Sequence, residues 1–158
     1  MPNPGSTQRR EVHYGSIEQF RGDVERLAET GYHTVGLWTY PQILDHLARS
    51  FHASLDGFGF KAPWWARFFV APLVKNSFLT KTMKPGFKLP RSALAIMPAT
   101  GLTLSAAIDN LREAIDRYTR DPQRSEHPFL GRLAEQEWDS LHLRHSELHM
   151  SYVVPEEV

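Results

Sequence analysis

Residues 39–57 read TYPQILDHLARSFHASLDG, and this stretch carries the start, the face and the end of one amphipathic helix. Thr39 precedes Gln42 by three positions, the spacing of a capping box in which each side chain accepts a hydrogen bond from the other residue's backbone N–H. Pro41 falls in the first turn, where its missing N–H is not needed, and Gly57 suits the exit. The apolar residues that recur at helical spacing are Ile43, Leu47, Phe51, Leu55 and Phe58.

Three other segments show helical periodicity, and the first repeats the capping-box spacing with Ser16 and Gln19. They span residues 16–30, 103–121 and about 135–153. Because no strand-like alternation separates these segments, we predict an all-α fold built as an antiparallel four-helix bundle. A chain of 158 residues can bury one such core without disulfides or a structural metal, so we predict a single domain over residues 1–158, with residues 1–12 flexible.

Composition excludes several classes of protein. The 18 basic and 18 acidic residues cancel, so no overall positive field indicates a nucleic-acid partner. The absence of cysteine excludes disulfide scaffolds, thiolate metal sites and a cysteine nucleophile, and any metal must be held by nitrogen and oxygen. Arg9 and Arg10 are followed by HYGSIEQF rather than by the apolar run of an export signal, so we expect a cytoplasmic protein.

The connection between the second and third helices, residues 58–101, is much longer than bundle loops usually are. Residues 63–83 predict one or two short helices interrupted at Pro72, and residues 84–101 predict an extended, turn-rich return. A connection of this length either carries structure of its own or serves a purpose.

This connection is also basic and aromatic, since no acidic residue lies between Asp56 and Asp109. Its basic residues are Lys61, Arg67, Lys75, Lys81, Lys84, Lys88 and Arg91. Its prominent aromatic residues are Trp64, Trp65, Phe68, Phe69 and Phe78. We expect these aromatic residues to cap the bundle core, with the lysines at its solvated rim. The alternative is a segment that contacts an anionic membrane surface, a partner protein or an anionic ligand, although Arg67 and Pro72 exclude a spanning helix.

Three histidines occupy one short stretch of the fourth helical segment, where residues 141–152 read LHLRHSELHMSY. At about 100° per residue, the face predicted to point towards the core contains Trp138, Leu141, His142, His145, Leu148, His149 and Tyr152. The residues predicted to lie outside it are Asp139, Ser140, Arg144, Ser146, Glu147 and Ser151. Inward imidazoles must find partners, because each unsatisfied ring nitrogen costs on the order of 1 to 3 kcal/mol.

Spacing decides which of these histidines can share an ion. His142 and His149 are two turns apart, about 10 Å along the helix axis, too far for imidazoles that must each approach a metal to about 2.0 to 2.1 Å. His145 can pair with His149 at a spacing of four or with His142 at a spacing of three, and we prefer His149 because the i, i+4 pair is typical of helical zinc sites. His142 would then be a catalytic residue, orienting the bound species, facing substrate or shuttling a proton.

The natural third ligand is His46, at the margin of the apolar face of residues 39–57, where small neighbours leave room for a cavity. His52 projects away from that edge. The histidines predicted to be surface or loop groups are His13, His33 and His127. No serine occupies a nucleophile elbow, and phosphate-cradling glycine loops are absent.

These residues predict a metal-dependent transferase or hydrolase with three neutral imidazoles on Zn²⁺, or on Ni²⁺, Mn²⁺ or Fe²⁺, and open coordination for a small-molecule substrate. An anionic substrate or a thiol would suit such a site, and a homodimer is one assembly it could adopt. The alternative class is a non-enzymatic module that uses the basic, aromatic connection to contact a membrane surface or a partner.

The same residues resemble a known family. WTYPQILDHLARSF at 38–51 and RHSELHMSY at 144–152 resemble elements of the DinB/YfiT-like proteins, and residues 127–152 resemble the subgroup DUF1569. The resemblance implies an up-down-down-up four-helix bundle with a long crossover between helices two and three. It also implies a divalent metal held by His46, His145 and His149. Characterised relatives include thiol-dependent transferases and isomerases, but here Met150, Ser151 and Tyr152 replace the commonest ending of the superfamily.

Overall fold

The computed structural model describes residues 8–86 and 90–156, and it is mostly helical. The five α-helices are α1 (Ile17–Thr30), α2 (Tyr40–Asp56), α3 (Ala71–Thr80), α4 (Leu104–Arg120) and α5 (Glu135–Met150). Two short strands, β1 (Tyr32–Thr34) and β2 (Val153–Pro155), form one antiparallel pair. The all-α class is thereby confirmed, whereas the small sheet was not predicted.

The predicted helix starts are confirmed at α1 and α2. Thr39 Oγ1 accepts from the backbone N–H of Gln42, and Gln42 Oε1 accepts from the backbone N–H of Thr39, which completes the capping box. Ser16 likewise accepts from Gln19 N, but Gln19 Oε1 accepts from Gly15 N, one residue outside the expected partner. Both helices therefore begin where the sequence indicates.

Helix α2 lies at the centre of the molecule, in contact with both α4 and α5, while α1 packs against the same two helices. Its buried apolar residues include Ile43, Leu47 and Phe51. Phe51 meets Tyr118 of α4 edge to face, with ring centroids 5.2 Å apart. The core is therefore built around the helix that carries His46.

The fourth predicted helix corresponds to α5, which ends at Met150 instead of continuing to residue 153. The prediction that Ser146, Glu147 and Ser151 lie outside the core face is wrong, because all three are buried. Glu147 Oε1 accepts hydrogen bonds from Tyr14 N at 2.8 Å and from Arg144 at 2.6 Å. The N-terminal segment therefore covers a side of α5 that the projection left to solvent.

Residues 8–12, part of the segment predicted to be flexible, contact the end of α5: Arg10 N donates to Ser151 O at 3.0 Å, and Arg10 Nε donates to Met150 O at 3.2 Å. Residues 1–7 of that segment lie outside the described residues, as does Lys88 of the basic connection.

The connection contains helix at residues 64–80, as predicted, with a π-helical turn at Ala66–Val70 that leads directly into α3. Pro72 lies in the first turn of α3, so the change of helix type precedes it. The prediction that the aromatic residues cap the core is wrong for Trp64, Trp65, Phe68 and Phe69, which are exposed, whereas Phe78 packs against the core. None of the described helices combines the length and the apolar character needed to cross a bilayer.

Candidate metal centre

His46 lies in the second turn of α2 on its buried side and is only 2% exposed. Its Nδ1 lies 2.6 Å from the carbonyl oxygen of Ile96, in a short 3₁₀ turn at Leu94–Ile96. Since a carbonyl can only accept, Nδ1 carries the proton and Nε2 presents a lone pair. The backbone of one loop therefore sets the tautomer that a metal ligand requires.

Helix α5 supplies the other two imidazoles one turn apart. His145 Nε2 lies 3.1 Å from His46 Nε2 and 3.0 Å from His149 Nε2. The ligand atoms of all three side chains lie within 4.8 Å of one another. The structure thus brings together the three residues predicted to bind metal, across 99 residues of sequence between His46 and His145.

The donor set fits a divalent ion better than it fits a hydrogen-bonded cluster. Because His46 Nε2 has no proton, His145 Nε2 must donate to it for that contact to be a hydrogen bond, and one N–H cannot also point at His149. A tetrahedral zinc site places ligand nitrogens roughly 3.3 Å apart, close to the observed separations of 3.1 and 3.0 Å. An ion would accept all three lone pairs at once, so His46, His145 and His149 could hold a metal.

The surroundings keep the three rings neutral. Burial lowers the pKa of His46, although its bond to Ile96 O opposes this shift. Burial, followed by repulsion from His149 and His46, holds the pKa of His145 well below its usual value. Burial and then His46 lower the pKa of His149 to about 3. Neutral imidazole is the form that binds a metal ion, so no proton has to be displaced near pH 7.

Trp38 forms a wall of the site that the sequence analysis did not assign as a functional residue. Its ring stacks on His149, with centroids 5.6 Å apart and planes 14° from parallel, and lies 5.0 Å from His46. Two signals in the sequence point to Trp38: it directly precedes the Thr39 cap of α2, and it begins the stretch 38–51 that resembles the DinB/YfiT-like proteins.

Asp45, the neighbour of His46, is a second residue that the sequence analysis missed. Asp45 Oδ2 accepts from Ala99 N and from Arg49 Nε, each at 2.7 Å, and the residue is 4% exposed. It thereby fastens the loop after Ile96 to α2. The sequence shows an acidic residue next to His46, but it does not show that Asp45 is buried or that it binds the backbone N–H of Ala99.

His142 does not belong to the three-histidine cluster and lies in an aromatic pocket. Its ring stacks on Phe51 at 4.0 Å and 13°, meets Tyr118 edge-on at 4.9 Å and stacks on Trp138 at 5.6 Å. Its Nε2 is buried without a hydrogen-bond partner in the described part of the chain. Burial lowers its pKa to about 3, and the role predicted for it in catalysis stays a prediction.

His127 is a loop residue, as predicted, and it is half-buried. Its ring lies 5.7 Å from Phe58 and 5.8 Å from Trp138, and burial lowers its pKa to about 4. Its Nδ1 accepts from the backbone N–H groups of Phe129 and Leu130. His127 therefore organises the turn before α5.

The remaining histidines lie elsewhere. The side chain of His13 is 72% exposed, His33 lies in β1, and His52 lies beside Arg117. Among the described residues, the three-histidine cluster is the group that could hold a metal.

Comparison with known proteins gives a family but no activity. No curated protein and no solved structure matches the chain. A family model described as "Protein of unknown function (DUF1569)" matches residues 6–156, nearly the whole chain. The chain therefore belongs to the DUF1569 family.

Proposed function

We propose that this chain is a divalent-metal-dependent enzyme, a transferase or hydrolase, whose metal is held by His46, His145 and His149. The convergence of three neutral imidazole nitrogens, with His145 Nε2 at 3.1 and 3.0 Å from the other two, carries the proposal. Three protein ligands leave coordination positions open, as catalytic sites do and structural sites do not. Imidazole ligands suit Zn²⁺, Ni²⁺ and Fe²⁺, whereas Mn²⁺ prefers carboxylate oxygens. Zn²⁺ is the first candidate, because three histidines with an open position are typical of catalytic zinc sites.

When bound, such an ion supplies Lewis acidity that lowers the pKa of a coordinating water or thiol. The protein's own residues would do the rest. Ile96 O fixes the ring of His46, and Trp38 limits the space beside His149. His142, one turn before His145 on α5, would orient substrate or move a proton through its unpartnered Nε2.

Exposed apolar residues on the loops that reach the site suggest the class of substrate. Leu37, next to Trp38, is 101% exposed, and Leu94 and Met97, on either side of Ile96, are 75% and 42% exposed. The two loops that contact the histidine rings through Trp38 and Ile96 thus also carry uncovered apolar side chains. We infer a small-molecule substrate with an apolar portion, joined to the thiol or anionic group that the metal would bind.

We further propose that the helices form the up-down-down-up four-helix bundle of the DinB/YfiT-like proteins, with residues 57–103 as the crossover between α2 and α4. Contacts of α2 with α4 and α5, and of α1 with the same two helices, support this arrangement. The metal would then join the second and the last helix of the bundle.

Elemental analysis of protein purified without chelators tests the proposal. We expect one ion per chain in the unaltered protein and loss of the ion from His46→Ala, His145→Ala and His149→Ala. His52→Ala on α2 and His142→Ala on α5 are matched controls that should retain it. Equal metal content in all five variants would contradict the assignment of the three histidines as metal ligands. A metal-loaded protein without hydrolase or transferase activity on a broad panel of thiols and esters would contradict the proposal that the protein is an enzyme.

A further inference from the structure

The helical segment at residues 64–80 presents large apolar side chains to solvent over residues 64–73. Trp64 is 74%, Phe68 71% and Leu73 83% exposed, fractions rare for residues of this size. Together with Trp65 and Phe69, which are 52% and 60% exposed, they form what we call the aromatic face, in which the ring of Phe69 lies 6.4 Å from that of Trp64 and 5.1 Å from that of Phe68. Contiguous exposed apolar surface of this kind marks an interaction site.

Other residues of the same segment hold it to the protein: Phe78 and Leu79 near its end pack against the core, and polar and small residues do so before them. Arg67 pairs with Glu126 at 3.1 Å, Lys75 pairs with Glu137 at 2.7 Å, and Ala71 between them is buried. A surface helix normally buries its apolar stripe and solvates its charges. Here the segment docks through Arg67, Ala71, Lys75 and the apolar pair Phe78 and Leu79, so the aromatic face is not needed for docking onto the core.

The chain directly after the segment that carries the aromatic face is positively charged. No acidic residue lies between Asp56 and Asp109. Lys81 and Lys84 directly follow α3 and, like Arg91, are exposed without an ion-pair partner within the described ranges. An occupant of this segment therefore meets unpaired positive charge where α3 ends, at Lys81 and Lys84.

We propose that the aromatic face is a peripheral membrane-binding surface for anionic lipid. Trp and Phe side chains enter the boundary between headgroups and acyl chains, and flanking lysines are attracted to anionic headgroups. A second copy of the chain fits less well, because two-fold pairing through this segment would bring Lys81 and Lys84 towards their own counterparts with no acid in the connection to neutralise them.

Vesicle co-sedimentation with the full chain tests whether the protein binds anionic lipid. We expect binding to vesicles of phosphatidylcholine mixed with phosphatidylglycerol, weakening as salt rises, and much weaker binding to phosphatidylcholine alone. Tryptophan emission should shift to the blue on binding, because Trp64 and Trp65 leave water. No binding to the anionic vesicles at low salt, or equal binding to both vesicle types, would overturn the proposal.

Variants test whether lipid binding depends on the aromatic face or on exposed apolar residues in general. Trp64→Ser/Phe68→Ser should abolish binding, whereas Leu94→Ser, which removes a 75% exposed leucine elsewhere, should not. Lys81→Gln/Lys84→Gln should weaken binding about fivefold for each lysine, while Arg120→Gln on α4 should leave it unchanged. Unaltered circular dichroism establishes folding. Wild-type lipid binding by the double serine variant, or a lipid-free dimer that this variant dissociates, would overturn the proposal.

Discussion

At the scale of single residues, His142 shows how a buried imidazole makes the stability of the fold depend on pH. Its pKa is about 3 in the folded chain, because it is buried and because Arg124 and His127 repel its charged form. An unfolded histidine has a pKa near 6.5, so below that pH the unfolded chain binds a proton that the folded chain does not. The stability that His142 contributes in its neutral form is therefore complete above about pH 6.5 and is lost as the pH falls towards 3.

We expect His142→Phe to flatten the pH dependence of stability in metal-free protein. As the pH falls below about 6, the free energy of unfolding should decrease less steeply in His142→Phe than in the wild type. The difference between the two slopes should be up to about 1.4 kcal/mol for each pH unit. Phenylalanine can keep the stack on Phe51. Urea unfolding between about pH 7 and about pH 5 measures the slope. The same replacement at His13, whose side chain is 72% exposed, is the control, and an unchanged slope in His142→Phe would contradict the assignment.

The residues of the site differ in how far the sequence could predict them. His145 and His149 could be predicted because a spacing of four on a helix fixes two side chains on one side, and His46 because it borders an apolar stripe. Ile96 could not, since it acts through a backbone carbonyl that any residue would supply. Trp38 could not either, because its stacking depends on a loop rather than on a periodic element.

At the scale of elements, the cap of α2 bears on both stability and the site. Thr39→Ala removes the bond to Gln42 N and should lower the free energy of unfolding by about 1 kcal/mol. Thr103 caps α4 in the same way through Ala106 N, so Thr103→Ala is a matched control with a similar loss of stability. Only Thr39→Ala should also weaken metal binding, because α2 carries His46. Metal titration and thermal melts measure the two effects, and equal metal affinity in both variants would refute the coupling.

The loop between β1 and α2 depends on Gly36. Gly36 has φ +154°, and a Cβ added there would lie 2.9 Å from the ring of Tyr152. Gly36→Ala should therefore displace the loop that carries Trp38, destabilise the fold by about 1 to 3 kcal/mol and weaken metal binding.

Gly22→Ala, in the middle of α1 with open space around the new Cβ, is the control for Gly36→Ala and should stabilise by about 0.5 to 1 kcal/mol. Chemical denaturation gives both values. A gain of stability in Gly36→Ala would contradict the close contact with Tyr152.

Helices were predicted more successfully than strands for a physical reason. Caps and apolar periodicity are local, so α1, α2, α4 and the start of α5 could be located from short stretches of sequence. The strands β1 and β2 contain three residues each, too few to show alternation, and they form only because Tyr32 meets Pro155 in the folded chain. The same long-range packing buries Glu147 against Tyr14, which no helical projection could show.

At the scale of the whole molecule, segments distant in sequence converge on the end of α5. Arg10 N donates to Ser151 O at 3.0 Å, and Val35 N donates to Tyr152 O at 2.9 Å. His46 of α2 meets His145 and His149 in the preceding turns. The site is thus assembled only in the complete fold, and a metal that binds it links α2 to the C-terminal part of the chain.

Metal binding should therefore stabilise the entire protein. An ion that binds the folded chain alone adds about 2.7 kcal/mol when its free concentration is 100 times Kd. For a chain of this length that is a rise in Tm of roughly 5 to 10 °C. Differential scanning calorimetry of chelator-treated protein, with and without added Zn²⁺, measures the shift. His145→Ala is the control, because losing the central nitrogen should abolish the shift while leaving two histidines in place. An equal shift in this variant would mean that the ion stabilises the protein from another position.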